Sequence, residues 1–486
     1  MPRALARLIG TDATIPPGIG DLQVAAITSD SRQVKPGTLF AALPGTKVDG
    51  AAFIPQALEK GAVAVIANRG AYQGTGAVIE SDNPRRLLAL AAARFEGKQP
   101  DTIVAVTGTN GKTSVSVFVR QIWEYMGFRA ASLGTIGVVG PEGATYLNHT
   151  TPDPVQLHAL AAHLVDDKVD HLAIEASSHG LAQYRLDGLR LTAGGFTNIT
   201  RDHLDYHPSF DNYFEAKMRL FTELLTPGSG AVINADSPSG DEVRIRAAAH
   251  GLETYTVGFK GASIKLVDVR REGLEQHLTL ETAHQRHSIT LPLVGDFQAS
   301  NALVAAGLVI VSGGDEKTAI QALESLKGAT GRLDLVGRSR SGASAFVDYA
   351  HTPDALENAI LALRPFAKGK LSVVFGCGGD RDKGKRPQMG AIATKHADRV
   401  YVTDDNPRSE DPAQIRRDVL AGAPGALEIG DRALAIRAAA DALQGGDILL
   451  VAGKGHEEGQ IVGKDVRPFS DHAAVRAALN GEDYHG

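Results

Sequence analysis

The chain has 486 residues, 43% of them apolar and 22% charged, a length that predicts roughly three domains of about 150 residues and a composition that excludes extended disorder. Its formal net charge of −6, with no block of consecutive Lys or Arg, argues against nucleic acid or an anionic membrane surface as the main partner. No apolar run reaches the about 18 residues of a membrane span, the single Cys377 can form no disulfide within the chain, and the opening Met-Pro-Arg-Ala-Leu-Ala-Arg lacks the apolar core of a signal peptide, so a cytoplasmic protein is expected.

Residues 1–99 alternate short apolar runs, clearest at Leu39-Phe40-Ala41-Ala42-Leu43 and Val63-Ala64-Val65-Ile66, with polar turns and a helical pattern over 86–95. This is the pattern of a small α/β domain. Its loops Thr28-Ser29-Asp30-Ser31-Arg32 and Gly45-Thr46-Lys47-Val48-Asp49-Gly50 read on their own as turns. Glu96-Gly97-Lys98-Gln99-Pro100 is a polar break and marks a boundary. The next stretch, Ile103-Val104-Ala105-Val106-Thr107-Gly108-Thr109-Asn110-Gly111-Lys112-Thr113-Ser114, is an apolar strand running into a glycine-rich turn. Backbone N–H groups of such a turn and of a following helix face phosphate oxygens, Lys112 adds a point charge, and the Thr113 hydroxyl can ligate Mg2+. Val115, Phe118, Val119 and Ile122 recur at helical spacing just after it. The general P-loop pattern places its first glycine five residues before Gly111, where this chain has Val106; the glycine stands at Gly108 instead.

Strands at Leu172-Ala173-Ile174-Glu175, Gly195-Phe196-Thr197-Asn198-Ile199 and Ala231-Val232-Ile233-Asn234 then alternate with helices, which predicts a mostly parallel, doubly wound sheet with ligands at the carboxyl ends of its strands. Polar clusters at 150–153, 175–180 and 200–207 would converge on the phosphate loop. A third region from Gly331 carries strands at Phe346-Val347-Asp348, Leu371-Ser372-Val373-Val374-Phe375, Arg399-Val400-Tyr401-Val402 and Asp447-Ile448-Leu449-Leu450-Val451, again a Rossmann-like βα pattern, with loops 376–385, 403–412 and 452–457 together at one edge. The expected division is 1–99, 100–330 and 331–486.

Glu175 and His203 stand at or just past strand ends, where a polar residue is ordinarily only a cap; beside a phosphate loop, they and Thr113 can instead hold Mg2+. Lys217 reads by pattern as a helix-surface lysine. Arg381 in Gly378-Gly379-Asp380-Arg381 and Arg408 in Asp405-Asn406-Pro407-Arg408 lie in shaped turns where a guanidinium fork can take a carboxylate.

Seven strings in order resemble the Mur ligase family over nearly the whole chain: Ser29-Asp30-Ser31-Arg32, the phosphate loop, Glu175-Ala176-Ser177-Ser178-His179-Gly180-Leu181, Asp202-His203-Leu204-Asp205-Tyr206-His207, Asp348-Tyr349-Ala350-His351-Thr352-Pro353-Asp354, Asp405-Asn406-Pro407-Arg408 and Gly453-Lys454-Gly455-His456-Glu457. Within that family they are similar to the branch that adds meso-diaminopimelate to UDP-N-acetylmuramoyl-L-alanyl-D-glutamate. The resemblance implies a monomeric, ATP- and Mg2+-dependent ligase of peptidoglycan precursor synthesis, with an N-terminal domain for the UDP end, a central ATPase and a C-terminal domain for the incoming amino acid. It implies that Gly108, Thr109, Asn110, Gly111, Lys112, Thr113 and Ser114 bind ATP with Asn301, Arg332 and Asp348. Ser29, Ser31, Thr46, Lys47 and Val48 would meet the UDP end, and His149, Thr150, Thr151, Ser177, Gln183 and Arg185 the sugar-peptide and its pyrophosphate. Arg381, Asp405, Asn406, Pro407, Arg408, Gly453 and Glu457 would receive diaminopimelate. Lys112, Glu175, His203 and Lys217 would be catalytic, Lys217 as a carbamate whose carboxylate joins Thr113, Glu175 and His203 around Mg2+. Gln298 stands where the family carries an asparagine.

Folylpolyglutamate synthetase and the lysine-adding branch are the neighbouring readings, and a nucleotide switch that turns over ATP without ligation is one from another class. The Asp-Asn-Pro-Arg string disfavours the first two, because lysine has no distal carboxylate for Arg408.

Overall fold

The computed structural model describes residues 2–45, 49–145, 147, 149–200 and 206–484. Thr46, Lys47, Val48 and His203, all expected at sites, lie outside the described residues. The chain divides into two compact units, the first of Met1–Leu266 with Glu281–Gln285 and Leu303–Ala322, the second of Val267–Leu280, Arg286–Ala302 and Leu323–Gly486.

The first unit contains two larger sheets and a short antiparallel pair of Arg3–Ala4 with Gln23–Val24. Strands β1 (Ala26–Thr28), β2 (Thr38–Ala41), β3 (Ala62–Asn68) and β4 (Val78–Ser81) pair in sequence order, all parallel. Helix α1 (Pro84–Glu96) packs Leu87, Leu88 and Ala91 against Ile27, Leu39, Ile66 and Ile79 of that sheet. It starts two residues earlier than its apolar period suggests because Asn83 accepts the Arg86 N–H and Pro84 fits the first turn; Gly97, at φ +71°, ends it.

The second sheet follows from β5 (Thr102–Thr107), α2 (Lys112–Tyr125), β6 (Ala130–Gly134), β7 (Gly137–Gly140), β8 (Gly143–Thr145), α3 (Pro154–Asp166), β9 (His171–Glu175), α4 (Ser178–Ala182), β10 (Ala193–Phe196), α5 (Phe210–Arg219), β11 (Gly230–Asn234), α6 (Gly240–Ala249) and β12 (Glu253–Gly258). Over residues 102–258 its order is β8-β7-β6-β9-β5-β10-β11-β12, parallel from β6 to β12, with the β7–β8 edge antiparallel. The mostly parallel, doubly wound expectation holds. On α2 the four residues at helical spacing, Val115, Phe118, Val119 and Ile122, are all fully buried, each stabilising the packing by about 1.5–3 kcal/mol. Strand β10 stops at Phe196, three residues short of the apolar run, because Thr197 and Asn198 turn into the phosphate loop: Thr197 Oγ1 donates to the Asn110 carbonyl at 2.6 Å and Asn198 Oδ1 accepts the Asn110 N–H at 3.0 Å.

In the second unit, β13 (Asp334–Arg338), β14 (Ser344–Asp348), α7 (Pro353–Leu363), β15 (Leu371–Phe375), α8 (Lys385–His396), β16 (Arg399–Val402), α9 (Pro412–Leu420), β17 (Leu427–Glu428), α10 (Arg432–Asp441), β18 (Ile448–Ala452), the hairpin β19 (Gly459–Val462) and β20 (Asp465–Pro468), and α11 (Asp471–Asn480) follow in order. The sheet runs β13-β14-β18-β15-β16-β17, parallel apart from β13. Leu356 and Ile360 of α7, Met389 of α8 and Ile415 of α9 cover one face, and Ile436 of α10 with Val475 of α11 the other. This sandwich of helices leaves the carboxyl ends of the strands to the loops.

Candidate functional site

The phosphate loop is bound into the sheet from both sides. Val106 remains inside β5, and Gly108, at φ +154°, is where the chain turns; a Cβ there would meet Thr197 Oγ1 at 1.9 Å. The displaced glycine therefore has a steric cause. Thr109 N–H donates to the Asn198 carbonyl at 2.8 Å, Gly111 opens α2 at φ +87°, and Lys112 Nζ rests on the carbonyls of Gly108 and Thr109 at 2.8 Å each. Thr113 and Ser114 lie buried in the first helical turn. Backbone donors, helix terminus and ammonium occupy one concave turn, an anion cradle.

Lys217 corrects its surface reading. It is 1% exposed on α5, its Nζ donates to the Gly108 carbonyl at 2.7 Å, and it lies 4.4 Å from the centroid of the Tyr213 ring. Tyr213 OH is in turn 3.0 Å from Thr109 Oγ1, so α5 braces the loop at two points. Glu175, at the end of β9, is 1% exposed and accepts from Thr135 N–H at 2.8 Å and Thr135 Oγ1 at 3.2 Å. Gly134 leaves room for that carboxylate; a Cβ there would stand 2.0 Å from Glu175 Oε1.

These groups suit Mg2+. Glu175 and Thr113 are hard oxygen donors beside an anion cradle, and no group of three or more His, Cys, Asp or Glu side chains forms a metal cage among the described residues. Mg2+ is commonly held by one or two protein oxygens, substrate phosphates and water. A free lysine ammonium does not fit such a set, whereas a carbamate of Lys217 does.

Thr135 Oγ1 also lies 3.1 Å from Thr150 Oγ1, and Thr151 Oγ1 donates to the Glu175 carbonyl at 2.9 Å and sits 2.9 Å from Ser177 Oγ. Ser177 caps α4 through the Gly180 N–H. Arg185 donates to Gln183 Oε1 at 2.8 Å and to the Thr151 carbonyl at 2.5 Å, and Gln183 Nε2 donates to Tyr206 OH at 3.0 Å. Thr150, Thr151, Ser177, Gln183 and Arg185 thus form one network that reaches Glu175. His149 beside it is exposed. Arg219, which the sequence did not single out, supports this loop from below by donating to the Leu181 carbonyl and, at 3.2 Å, to both oxygens of Asp187. Ser29 and Ser31 flank Asp30 after β1; the Arg32 guanidinium on that carboxylate draws it down to about 2, and Lys60 Nζ donates to the Ser31 carbonyl at 2.9 Å.

In the second unit, Asn301 donates to Gln298 Oε1 at 3.1 Å, so the family's substituted position is a buried partner of Asn301. Asp348 accepts from Leu333 N–H at 2.6 Å and Ala350 N–H at 2.7 Å, and Arg332 lies 4.8 Å from the Tyr349 ring centroid. Burial pushes the Asp348 carboxyl upward, and Arg332 with the two N–H donors pulls it back.

Loops 376–385, 403–412 and 452–457 do meet. Gly379 N–H donates to the Asn406 carbonyl at 2.9 Å and Arg408 NH1 to the Gly379 carbonyl at 2.9 Å. Arg408 has φ +51°, rare for a residue with a Cβ, and the β19–β20 hairpin fixes it: Arg408 N–H donates to Ile461 O at 3.0 Å and Gly463 N–H to Arg408 O at 2.7 Å. Arg381 is exposed and its NH1 donates to the Asp380 carbonyl at 3.3 Å. Asn406 Nδ2 donates to Glu457 Oε2 at 2.8 Å, and Gly453 is required where a Cβ would meet Asp405 Oδ2 at 2.6 Å. Beneath them Arg432 and Asp471, both 0% exposed, form a two-point ion pair at 2.7 Å, and Arg432 also donates to Ala452 O at 3.0 Å.

A parallel sheet with a phosphate loop, an adjacent buried carboxylate and lysine, and a Rossmann-like unit with clustered arginine loops defines a nucleotide-dependent ligase. Family models described as Mur ligase family, catalytic domain; Mur ligase middle domain; and Mur ligase, glutamate ligase domain match residues 23–96, 106–309 and 331–455. The chain belongs to the Mur ligase family, ATP-dependent enzymes that form amide bonds. It is 56% identical over 479 residues to the UDP-N-acetylmuramoyl-L-alanyl-D-glutamate–2,6-diaminopimelate ligase of Bradyrhizobium diazoefficiens, covering 98% of this chain and 99% of that one. The enzyme of the same name from Brucella melitensis is 56% identical over 462 residues, 95% of each chain. A solved structure of a ligase with that name superposes with a TM-score of 0.75 at 32% identity over 99% of both chains. MurF ligase from Thermotoga maritima, solved in complex with ADP, shares the fold at 19% identity and a TM-score of 0.61, covering 94% of this chain and 97% of that one.

Proposed function

We propose that this ligase joins meso-diaminopimelate to UDP-N-acetylmuramoyl-L-alanyl-D-glutamate, a cytoplasmic step of peptidoglycan precursor synthesis. The observation that carries the reading is Arg408, fixed at φ +51° in the turn whose Asn406 holds Glu457 at 2.8 Å, which brings a cationic fork and an anionic acceptor onto adjoining loops. Diaminopimelate carries both a carboxylate and an ammonium at its distal end. Lysine carries only the ammonium, and Arg408 would then face it unpaired.

In the reaction, the γ-carboxylate of the D-glutamyl end attacks the γ-phosphorus of ATP and ADP leaves, giving an acyl phosphate. The amine of the incoming amino acid then adds to the acyl carbon, loses a proton, and phosphate departs from the tetrahedral intermediate. Lys112 neutralises charge on the transferring phosphoryl group, and the Gly108–Ser114 backbone fixes the nucleotide's phosphates. Thr113, Glu175 and a carbamate on Lys217 would hold Mg2+, which when bound offsets the negative charge of the phosphates. Thr151, Ser177, Gln183 and Arg185 orient the acceptor carboxylate's substrate, so that much of the rate comes from positioning.

Phosphate release measured with the UDP-dipeptide and a panel of amino acids tests this. Release should require ATP, the UDP-dipeptide and an amino acid together and be fastest with meso-diaminopimelate. Equal turnover without any amino acid would favour a nucleotide switch, and faster turnover with lysine the other branch.

A further inference from the structure

Glu457 is not alone with its charge. Lys454, three residues before it, is 0% exposed, and its Nζ donates to Glu457 Oε2 at 3.0 Å and to Asn406 Oδ1 at 3.1 Å. Asn406 closes the triangle by donating from Nδ2 to the same Glu457 oxygen at 2.8 Å, and its own Oδ1 takes the Ile461 N–H at 2.9 Å. Glu457 remains about one-third exposed, so its carboxylate has one doubly held oxygen and is partly open to solvent. A fully buried ammonium is costly unless paired and hydrogen-bonded. Here its charge falls on the acceptor expected for the substrate's distal ammonium.

We infer that Lys454 is a specificity-determining residue for the incoming amino acid: it orients Asn406 and Glu457 and matches Glu457's charge. The pocket then accepts a distal ammonium only when a carboxylate comes with it to Arg408. Without Lys454, Glu457 would be an uncompensated anion facing the site and would attract any distal ammonium, lysine's included. With it, Glu457 still accepts a hydrogen bond, but its charge is already matched by Lys454, so a side chain bearing only a cation gains little there and leaves Arg408 without a carboxylate. This inference rests on the proposed diaminopimelate reading.

The test is steady-state kinetics of Lys454→Gln, which removes the charge and keeps an N–H donor, and of Lys454→Met, which removes both. Each is assayed with meso-diaminopimelate and with lysine, after circular dichroism has shown the variant folded. Wild-type enzyme that ligates diaminopimelate secures the parent reading first; a wild type that does not would sink that reading before any variant is measured. The expected result for either folded variant is a preference for diaminopimelate over lysine, as kcat/KM, narrowed tenfold or more. The KM for ATP should stay within about twofold, a split that general destabilisation does not produce. An unchanged preference in a folded variant overturns the inference, and so does failure of both variants to fold, which would assign Lys454 to holding the structure alone.

Discussion

A lysine held against a backbone carbonyl in a buried site either stays a cation, compensated there, or is converted into something else. Lys217 is that case, 1% exposed with its Nζ 2.7 Å from Gly108 O. As an ammonium it would compete with Mg2+ at the phosphate loop; as a carbamate it would supply an oxygen donor. Lys217→Ala should therefore lower kcat by about 100-fold to 1000-fold, the usual scale for removing a preorganised electrostatic group, and short carboxylic acids should restore part of it. Turnover with and without added acetate or propionate checks this, and a fully active Lys217→Ala protein would dismiss the role. The residue was legible only by resemblance. Its spacing on α5 matches a surface position, and its burial arises from a partner 109 residues away.

At the scale of elements, the second unit's clustered loops depend on how strand ends and helix starts are pinned. Arg432 opens α10 and Asp471 opens α11; their buried pair, with Arg432 donating to Ala452 O, ties both helices to the end of β18, from which the Gly453–Glu457 loop departs. Arg432→Met leaves Asp471 buried without its partner, which should cost about 3–5 kcal/mol of stability. Urea unfolding of the variant should show a lower midpoint at unchanged slope, and Arg432→Met combined with Asp471→Leu should recover much of the loss. A single variant as stable as wild type would show the pair to be idle. The strands themselves were readable as apolar runs between turns, to within one or two residues for β15, β16 and β18. Neither Arg432 nor Asp471 gave any signal, since each is an ordinary first-turn residue until the fold sets them face to face.

For the whole molecule, we propose the three-part division at 99/100 and 330/331, although the first 99 residues pack within the same compact unit as the phosphate loop. Gln99, in the polar break read as a boundary, donates to Gly188 O at 2.7 Å and accepts the Arg190 N–H at 2.9 Å, so the break is pinned rather than loose. His158 of α3 lies at the same seam, 1% exposed, with Nε2 3.0 Å from Asp187 O and beside Gly188, which also abuts Ala89 and Ala93 of α1. Burial lowers its imidazole to about 4. Because the folded value lies below the unfolded one near 6.5, the unfolded chain binds the extra proton, and stability present above pH 6.5 is lost as pH falls to about 4, by up to about 3 kcal/mol. Asp187, whose carboxyl burial pushes upward, works in the opposite sense, so the measurement is the difference between wild type and His158→Gln in urea stability across that window. A wild-type acid slope that the variant fully retains would rule the histidine out. By itself the sequence determined whatever is local: the phosphate loop as a strand, turn and helix, the apolar strands, and the Asp405–Arg408 turn, because contiguous residues set backbone conformation and expose their chemistry together. Only the tertiary structure decided which partner each buried charge meets, Lys217 the Gly108 carbonyl, Lys454 the Asn406 side chain, Arg432 the Asp471 carboxylate, because a side chain's cost or use when buried depends on partners that the chain brings from far away.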